Sequence, residues 1–156
     1  MATNTLEVTT PSDREIVMKR VFDAPHSSVF DAFTKPDLIK RWLLGPDGWS
    51  MPVCDVDLNV GGTYHYVWRN DVDASEFGFH GRYREIVRPE RIVHVESMDG
   101  QPGEALITTT FVEQNGSTTV TTTMQHESRA VRDMVLATGM DEGVARSYER
   151  LDEVLG

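Results

Sequence analysis

The chain is short of the groups that cross-links, metal centres and membrane spans require. Cys54 is its one cysteine in 156 residues, which excludes an intrachain disulfide and fits a reducing compartment. A chain of this length buries roughly 68–70% of its unfolded surface and needs no covalent staple. Basic residues are also scarce, with 15 Lys and Arg against 25 Asp and Glu and a formal net charge of -10. That average field repels phosphate backbones. The tightest basic cluster, Arg82, Arg84, Arg88 and Arg91, is interrupted by Glu85 and Glu90, so no nucleic-acid partner is expected. No apolar run approaches the roughly 20 residues that cross a bilayer, so no membrane insertion is expected either. The opening segment, rich in Thr with Asn4, Pro11 and Ser12, has neither the basic start nor the apolar core of a signal peptide. It reads as a flexible tail over 1–13, ahead of a single domain over 14–156, and the protein is expected to be cytoplasmic. A phosphate-binding glycine loop, a dinucleotide fingerprint and a nucleophile elbow are all missing. With one cysteine and no histidine pair at ligand spacing, neither a metal nor a cofactor is expected, and no catalytic residue is assigned.

What is present is β-rich sequence followed by a late helix. Arg14 to Asp23 carries Ile16, Val17, Val21 and Phe22 and stops at Ala24-Pro25, where proline halts pairing. Ser27 or Ser28 can cap a short helix bearing Val29, Phe30 and Phe33, and Pro36 suits the first turn of a second bearing Leu38, Ile39, Trp42 and Leu43. Six strands are expected between Trp49 and His126, divided by Gly61-Gly62, Asp71–Ser75, Arg88-Pro89-Glu90, Asp99–Gly103 and Asn115-Gly116. Links this short favour antiparallel neighbours. Ser128 can then cap a short helix with Val131, Met134 and Val135, broken at Gly139. From Asp141 to Leu155, Val144, Tyr148, Leu151 and Leu155 form one stripe opposed by Glu142, Glu149, Asp152 and Glu153, an amphipathic helix that packs on something large.

Parity along the strands separates two faces. The Asn115-Gly116 hairpin sets Phe111 opposite Val120, Thr109 opposite Thr122, Ile107 opposite Met124 and Ala105 opposite His126. The other face is a threonine ladder over Thr108, Thr110, Thr119, Thr121 and Thr123, suited to water. Tyr64, Tyr66 and Trp68 likewise share a side against His65 and Arg69, and Phe77, Phe79, Gly81 and Tyr83 oppose His80, Arg82 and Arg84. The covered face is thus aromatic with a few hydroxyls, a composition that suits core packing and also an uncharged or weakly polar ligand. A strongly curved sheet leaves a hollow at its centre, and Gly81 in mid-strand signals a bend or a close approach.

His94 and Glu96 form the remaining pair of interest. The register of the Arg88–Arg91 turn is open by one residue. One register sets the pair outward beside Arg84 and Arg82; the other aims it into the hollow as acid and base. Val93 and Val95 compete for the inner face, and the outward placement is expected. His126 falls on the covered side by hairpin register and is the best single polar anchor there.

Val21-Phe22-Asp23-Ala24-Pro25, then Val29-Phe30-Asp31-Ala32-Phe33, Trp42, Asp57 with Gly61-Gly62, Gly81-x-Tyr83-x-Glu85-Ile86 and Pro89-Glu90-Arg91-Ile92-Val93 follow in order. This set resembles the activator of heat-shock protein 90 ATPase homologue-like family. Asn59 stands where that family often carries Arg, and Met140 where it usually shows Trp. The resemblance implies an α+β helix-grip fold (START-like or Bet v-like, SRPBCC superfamily). In it a curved antiparallel sheet wraps a long C-terminal helix, with two short helices after the first strand. It also implies an internal cavity that takes a lipid, polyketide or aromatic metabolite. The expected ligand-binding wall is Tyr64, Tyr66, Trp68, Phe79, Tyr83, Phe111, Met124, Met134, Met140 and Val144, with Thr109, Thr122 and His126 as polar anchors. Binding of a hydrophobic small molecule ranks first. A cyclase- or hydrolase-type enzyme ranks second, using His126 or an inward His94–Glu96 pair. Modulation of a chaperone ATPase ranks third, because chaperone activators resemble this chain only in their C-terminal half.

Overall fold

The computed structural model describes residues 4–156. Its elements are β1 (Glu7–Thr9), β2 (Glu15–Phe22), α1 (His26–Thr34), α2 (Pro36–Trp42), β3 (Trp49–Val56), β4 (Thr63–Asn70), β5 (Glu76–Val87), β6 (Arg91–Met98), β7 (Ala105–Gln114), β8 (Ser117–Gln125), α3 (Arg129–Ala137) and α4 (Met140–Leu155). The strands form one sheet in the order β1-β2-β8-β7-β6-β5-β4-β3, antiparallel throughout. Strands β3 to β8 meander through short turns, and β2 closes against β8. The fold is α+β, a curved sheet gripping the C-terminal helix, as the strand order and single late stripe implied.

Two local expectations are corrected. Residues 7–9 do not hang loose within a tail: Glu7 pairs with Lys19 and Thr9 with Val17, which adds an eighth strand at the sheet edge. Neither Ser27 nor Ser28 caps α1, which has no capping side chain of its own. Glu113, at the end of β7, accepts from the His26 backbone N–H at 2.8 Å instead. A carboxylate from a neighbouring strand thus meets the exposed donors of the first turn. The remaining helix signals act as read. Pro36 opens α2, Ser128 accepts from the Val131 N–H at the start of α3, and Gly139 at φ 77° divides α3 from α4.

The inner face of the sheet carries Ile16, Met18, Phe22, Ile92, Phe111 and Val120, all buried. Phe30 and Phe33 of α1 meet Phe111 edge-on, and Tyr148 of α4 meets Phe22 edge-on at 5.1 Å between ring centroids. Trp42 closes this packing and donates to the Ala32 carbonyl. One inner-face residue is a cation. Arg20, 5% exposed, lies over the Phe22 ring and forms a two-pronged bond to Asp152 of α4 at 2.6 Å, a fixed fork suited to a carboxylate. A second tie runs along the helix side, where Ser147 accepts from the Gly45 N–H and Arg150 donates to the Gly45 carbonyl. The end of the sheet under α1 and α4 is therefore filled. The end that carries β4, β5 and β6 is where polar groups turn inward.

Candidate functional site

Strand β5 changes parity part-way along. Tyr83 pairs with His94, but Glu85 pairs with Val93, so the register shifts between them and Arg84 is the extra residue of a bulge. Beyond it Ile86 faces Ile92, and the inner side of β6 becomes Ile92, His94 and Glu96. The outward placement expected for His94 and Glu96 is overturned. Val93 and Val95 take the outer face, where Val95 is buried between Arg82 and Leu106 in register. A one-residue insertion flips every side chain after it.

Gly81 then decides what the pair meets. In register it stands between Tyr64 on β4 and Glu96 on β6. A Cβ there would lie 2.6 Å from the Tyr64 hydroxyl. Without one, the Tyr64 ring crosses over β5 and reaches the next strand. Its hydroxyl lies 2.7 Å from His94 Nδ1 and donates to Glu96 Oε1 at 3.0 Å. Tyr66 and Tyr83 flank it, with ring centroids 5.0 Å and 5.3 Å from that of Tyr64. Phe79 lies opposite Tyr66 on the neighbouring strand. Three tyrosines, a histidine and a glutamate thus share one patch of the inner face.

Burial governs the charges of this patch. It pushes the Glu96 carboxyl up to about 7, against which Tyr64's hydrogen bond pulls only partly. It holds the His94 imidazole down to about 4. The Tyr83 hydroxyl rises to about 12, and those of Tyr64 and Tyr66 lie well above the usual tyrosine range, again mainly through desolvation. Cys54, beside Tyr66 in register, is raised to about 11 for the same reason and is an unreactive thiol. Yet Tyr66, Phe79, His94 and Glu96 are each only half-buried. These groups are surrounded by protein yet keep accessible surface on the inner face of the sheet.

The proton arrangement follows from the donors. When Glu96 is ionised and accepts from Tyr64, the neutral His94 supplies its Nδ1 hydrogen to the Tyr64 oxygen, and its Nε2 is left as a bare acceptor. Glu96 Oε2 likewise makes no hydrogen bond among the described residues and keeps accessible surface.

Of the residues expected to form the wall, Tyr64, Tyr66, Phe79 and Tyr83 come together here with His94 and Glu96. Trp68 packs against Ile39 and Met51, and its Nε1 donates to the Leu43 carbonyl. Phe111 is held among Phe30 and Phe33 in the filled core. Thr109 and Thr122 sit opposite one another, hydroxyls 3.5 Å apart, with Thr122 beside the Tyr148 hydroxyl. Met124, Met140 and Val144 are half-buried, whereas Met134 is 66% exposed on α3 and does not reach the inner face. His126 is 6% exposed, and burial lowers its pKa. Its backbone N–H reaches the Arg14 carbonyl, but its Nε2 is sealed without a hydrogen-bond partner among the described residues. Sequence parity missed His94 and Glu96; the bulge that turns them in had no signature beyond the neighbouring Gly81. A surface groove of about 480 Å³ lies elsewhere, between β7 and the start of α1, and is lined by His26, Glu90, Arg91 and Glu113 among others. Of its charged groups, His26 pairs with Glu113 and Arg91 with Glu85.

Residues 23–156 match the family described as activator of Hsp90 ATPase homolog 1-like protein. The chain belongs to that family. Solved structures agree over nearly the whole length. A Rhodobacter sphaeroides protein is 27% identical, with 97% of each chain covered and a TM-score of 0.91. A Chromobacterium violaceum protein is 25% identical over 92% of this chain and 98% of its own, with a TM-score of 0.79. An Aeromonas hydrophila protein titled AHSA1-like is 22% identical over 90% of this chain and 93% of its own, with a TM-score of 0.73, and shares the fold. No curated protein matches the sequence. Among the described residues no helix of this family member is long and apolar enough to cross a membrane, and no group of three or more His, Cys, Asp or Glu could hold a metal ion.

Proposed function

We propose that this protein binds a hydrophobic small molecule against the inner face of its sheet, with the molecule's polar group at Tyr64, His94 and Glu96. The family's fold is one that takes hydrophobic ligands. The observation that carries the reading is the half-open polar patch on an otherwise aromatic face. Apolar walls with a few convergent polar groups are the usual composition of a ligand site. Native mass spectrometry of freshly purified protein, with a thermal-shift screen of lipids and aromatic polyketides, tests it. Phe79→Ala on the inner face reduces the ligand-induced shift, and Arg82→Ala on the outer face leaves it unchanged. Equal effects of the two, or no shift with any compound, would defeat the reading.

A second reading has its own support: proton transfer on the bound molecule. Glu96 at about 7 is poised to take or give a proton near neutrality, and Tyr64 links it to a neutral His94. Turnover of a bound cyclase- or hydrolase-type substrate, lost in Glu96→Gln with binding retained, separates it from binding alone. Modulation of a chaperone ATPase remains the third reading, decided by an ATPase assay with and without this chain.

A further inference from the structure

At the Glu96–His94 end of the patch, the polar atoms left open are acceptors once Glu96 is ionised. Glu96 Oε2 has no hydrogen-bond partner among the described residues, and His94 Nε2 is bare once Nδ1 has donated to Tyr64. No lysine or arginine among the described residues pairs with Glu96. The groups that act on it are Tyr64 on β4, His94 on its own strand, and His80 on β5, which favours the charged carboxylate but is itself paired with Asp99. Beside it in register lie the side-chain-less Gly81 and the small Ala105, and beyond them Tyr66, Tyr83 and His126, whose pKa burial lowers. Among the described residues, the arginine buried on the inner face of the sheet, Arg20, is bound to Asp152 on α4. A buried carboxylate without a cation is costly, and a ligand that brings one offsets that cost. Aromatic faces within reach add to the attraction for an ammonium group, and the protein's net charge of -10 favours a positive ligand from a distance.

We propose that the ligand is an apolar amine whose protonated nitrogen sits between Glu96 Oε2 and His94 Nε2, against the rings of Tyr64, Tyr66 and Tyr83. This rests on the hydrophobic-ligand reading and gives it a substrate class. A ketone or ester oxygen would face two acceptors and leave the carboxylate unpaired. A primary or secondary ammonium presents donors to both and keeps its hydrocarbon part among Phe79, Tyr66 and Tyr83. Because burial raises the Glu96 carboxyl to about 7, the charged form that attracts the amine grows as pH rises through neutrality.

The experiment is a calorimetric comparison of naphthylbutylamine, naphthylbutanol and naphthylbutanoic acid with the intact protein at about pH 8 and about pH 5.5. An alkylamine keeps its proton at both, since its pKa lies near that of lysine at about 10. Any change in the preference for amine over alcohol therefore reports the protein. The amine binds at least about tenfold tighter than the alcohol at the higher pH, the acid binds weakest, and the preference shrinks severalfold at the lower pH. Glu96→Gln brings amine and alcohol to equal affinity. Alcohol binding as tightly as amine at the higher pH overturns the amine assignment and leaves the hydrophobic-ligand reading standing. A preference that survives Glu96→Gln, or that does not change with pH in the native protein, overturns it as well. If none of the three probes binds, both readings fall together.

Discussion

Replacing Glu96 by Gln reverses part of the protein's response to pH, and the size of the effect follows from burial. The carboxyl moves from 4.5 to about 7 on folding, because the folded state disfavours its charged form. Between those values the folded chain holds more protons at this site than the unfolded chain, so stability falls as pH rises. It is fully present below 4.5 and lost through about 7. At about 1.4 kcal/mol per pKa unit the loss is at most about 3.5 kcal/mol, an upper bound because the side chain is only half-buried. His94 runs the other way. Its imidazole drops from 6.5 to about 4, so its contribution is present above 6.5 and lost as pH falls toward 4. The two slopes oppose each other between 4.5 and 6.5. The native protein is therefore level there with respect to these groups and weakens on either side. Gln keeps the side chain's size, can still accept from Tyr64 and does not titrate. Urea unfolding followed by tryptophan fluorescence, at about pH 5, 6, 7 and 8, measures both proteins. The variant gains on the native protein with every step, by about 2 to 3 kcal/mol across the series. A stability difference that stays constant within about 0.5 kcal/mol would show that Glu96 is not buried against its charge, and the site would have to be redrawn.

Three further perturbations test the frame around the site. Gly81→Ala drives a methyl into the Tyr64 hydroxyl and the Val95 carbonyl; it should cost at least about 2 kcal/mol in urea unfolding, and a neutral result would mean that Tyr64 does not cross β5. Asp152→Ala leaves Arg20 buried and unpaired; since Asp152 is 40% exposed, about 2 kcal/mol is expected, below the 3–5 kcal/mol of a fully buried pair. A loss within about 0.5 kcal/mol would contradict the inward arginine. His126→Leu removes a sealed nitrogen that has no partner among the described residues and should raise stability by about 1 kcal/mol at neutral pH; a loss of that size would show that the nitrogen is bonded in solution.

The fold was legible because its signals are local. Pro36, Ser128 and Gly139 sit where elements begin or stop, and the Asn115-Gly116 turn fixed the β7–β8 register residue by residue. The site was half legible. Tyr64, Tyr66, Phe79 and Tyr83 precede the bulge, so parity from the strand start places them correctly. His94 and Glu96 follow it, and parity carried across an unseen extra residue puts them on the wrong face. The cap on α1 was illegible for a different reason. Glu113 lies 87 residues from His26 in sequence, and no reading of neighbours along the chain connects them. Met134 had helical spacing in its favour, but α3 turns that side to water.

The passage of Tyr64 over Gly81 also keys the sheet. Hydrogen-bond ladders are nearly indifferent to a slip of two residues, because such a slip preserves which face each side chain takes. Here a slip between β4 and β5 would bring Tyr64 against Phe79 or Tyr83 in place of the one residue without a side chain. The ring could no longer reach β6, and Glu96 would lose its hydroxyl partner. One tyrosine therefore cross-braces three strands and proofreads their alignment, so that the correct register and the assembled site arise in the same event.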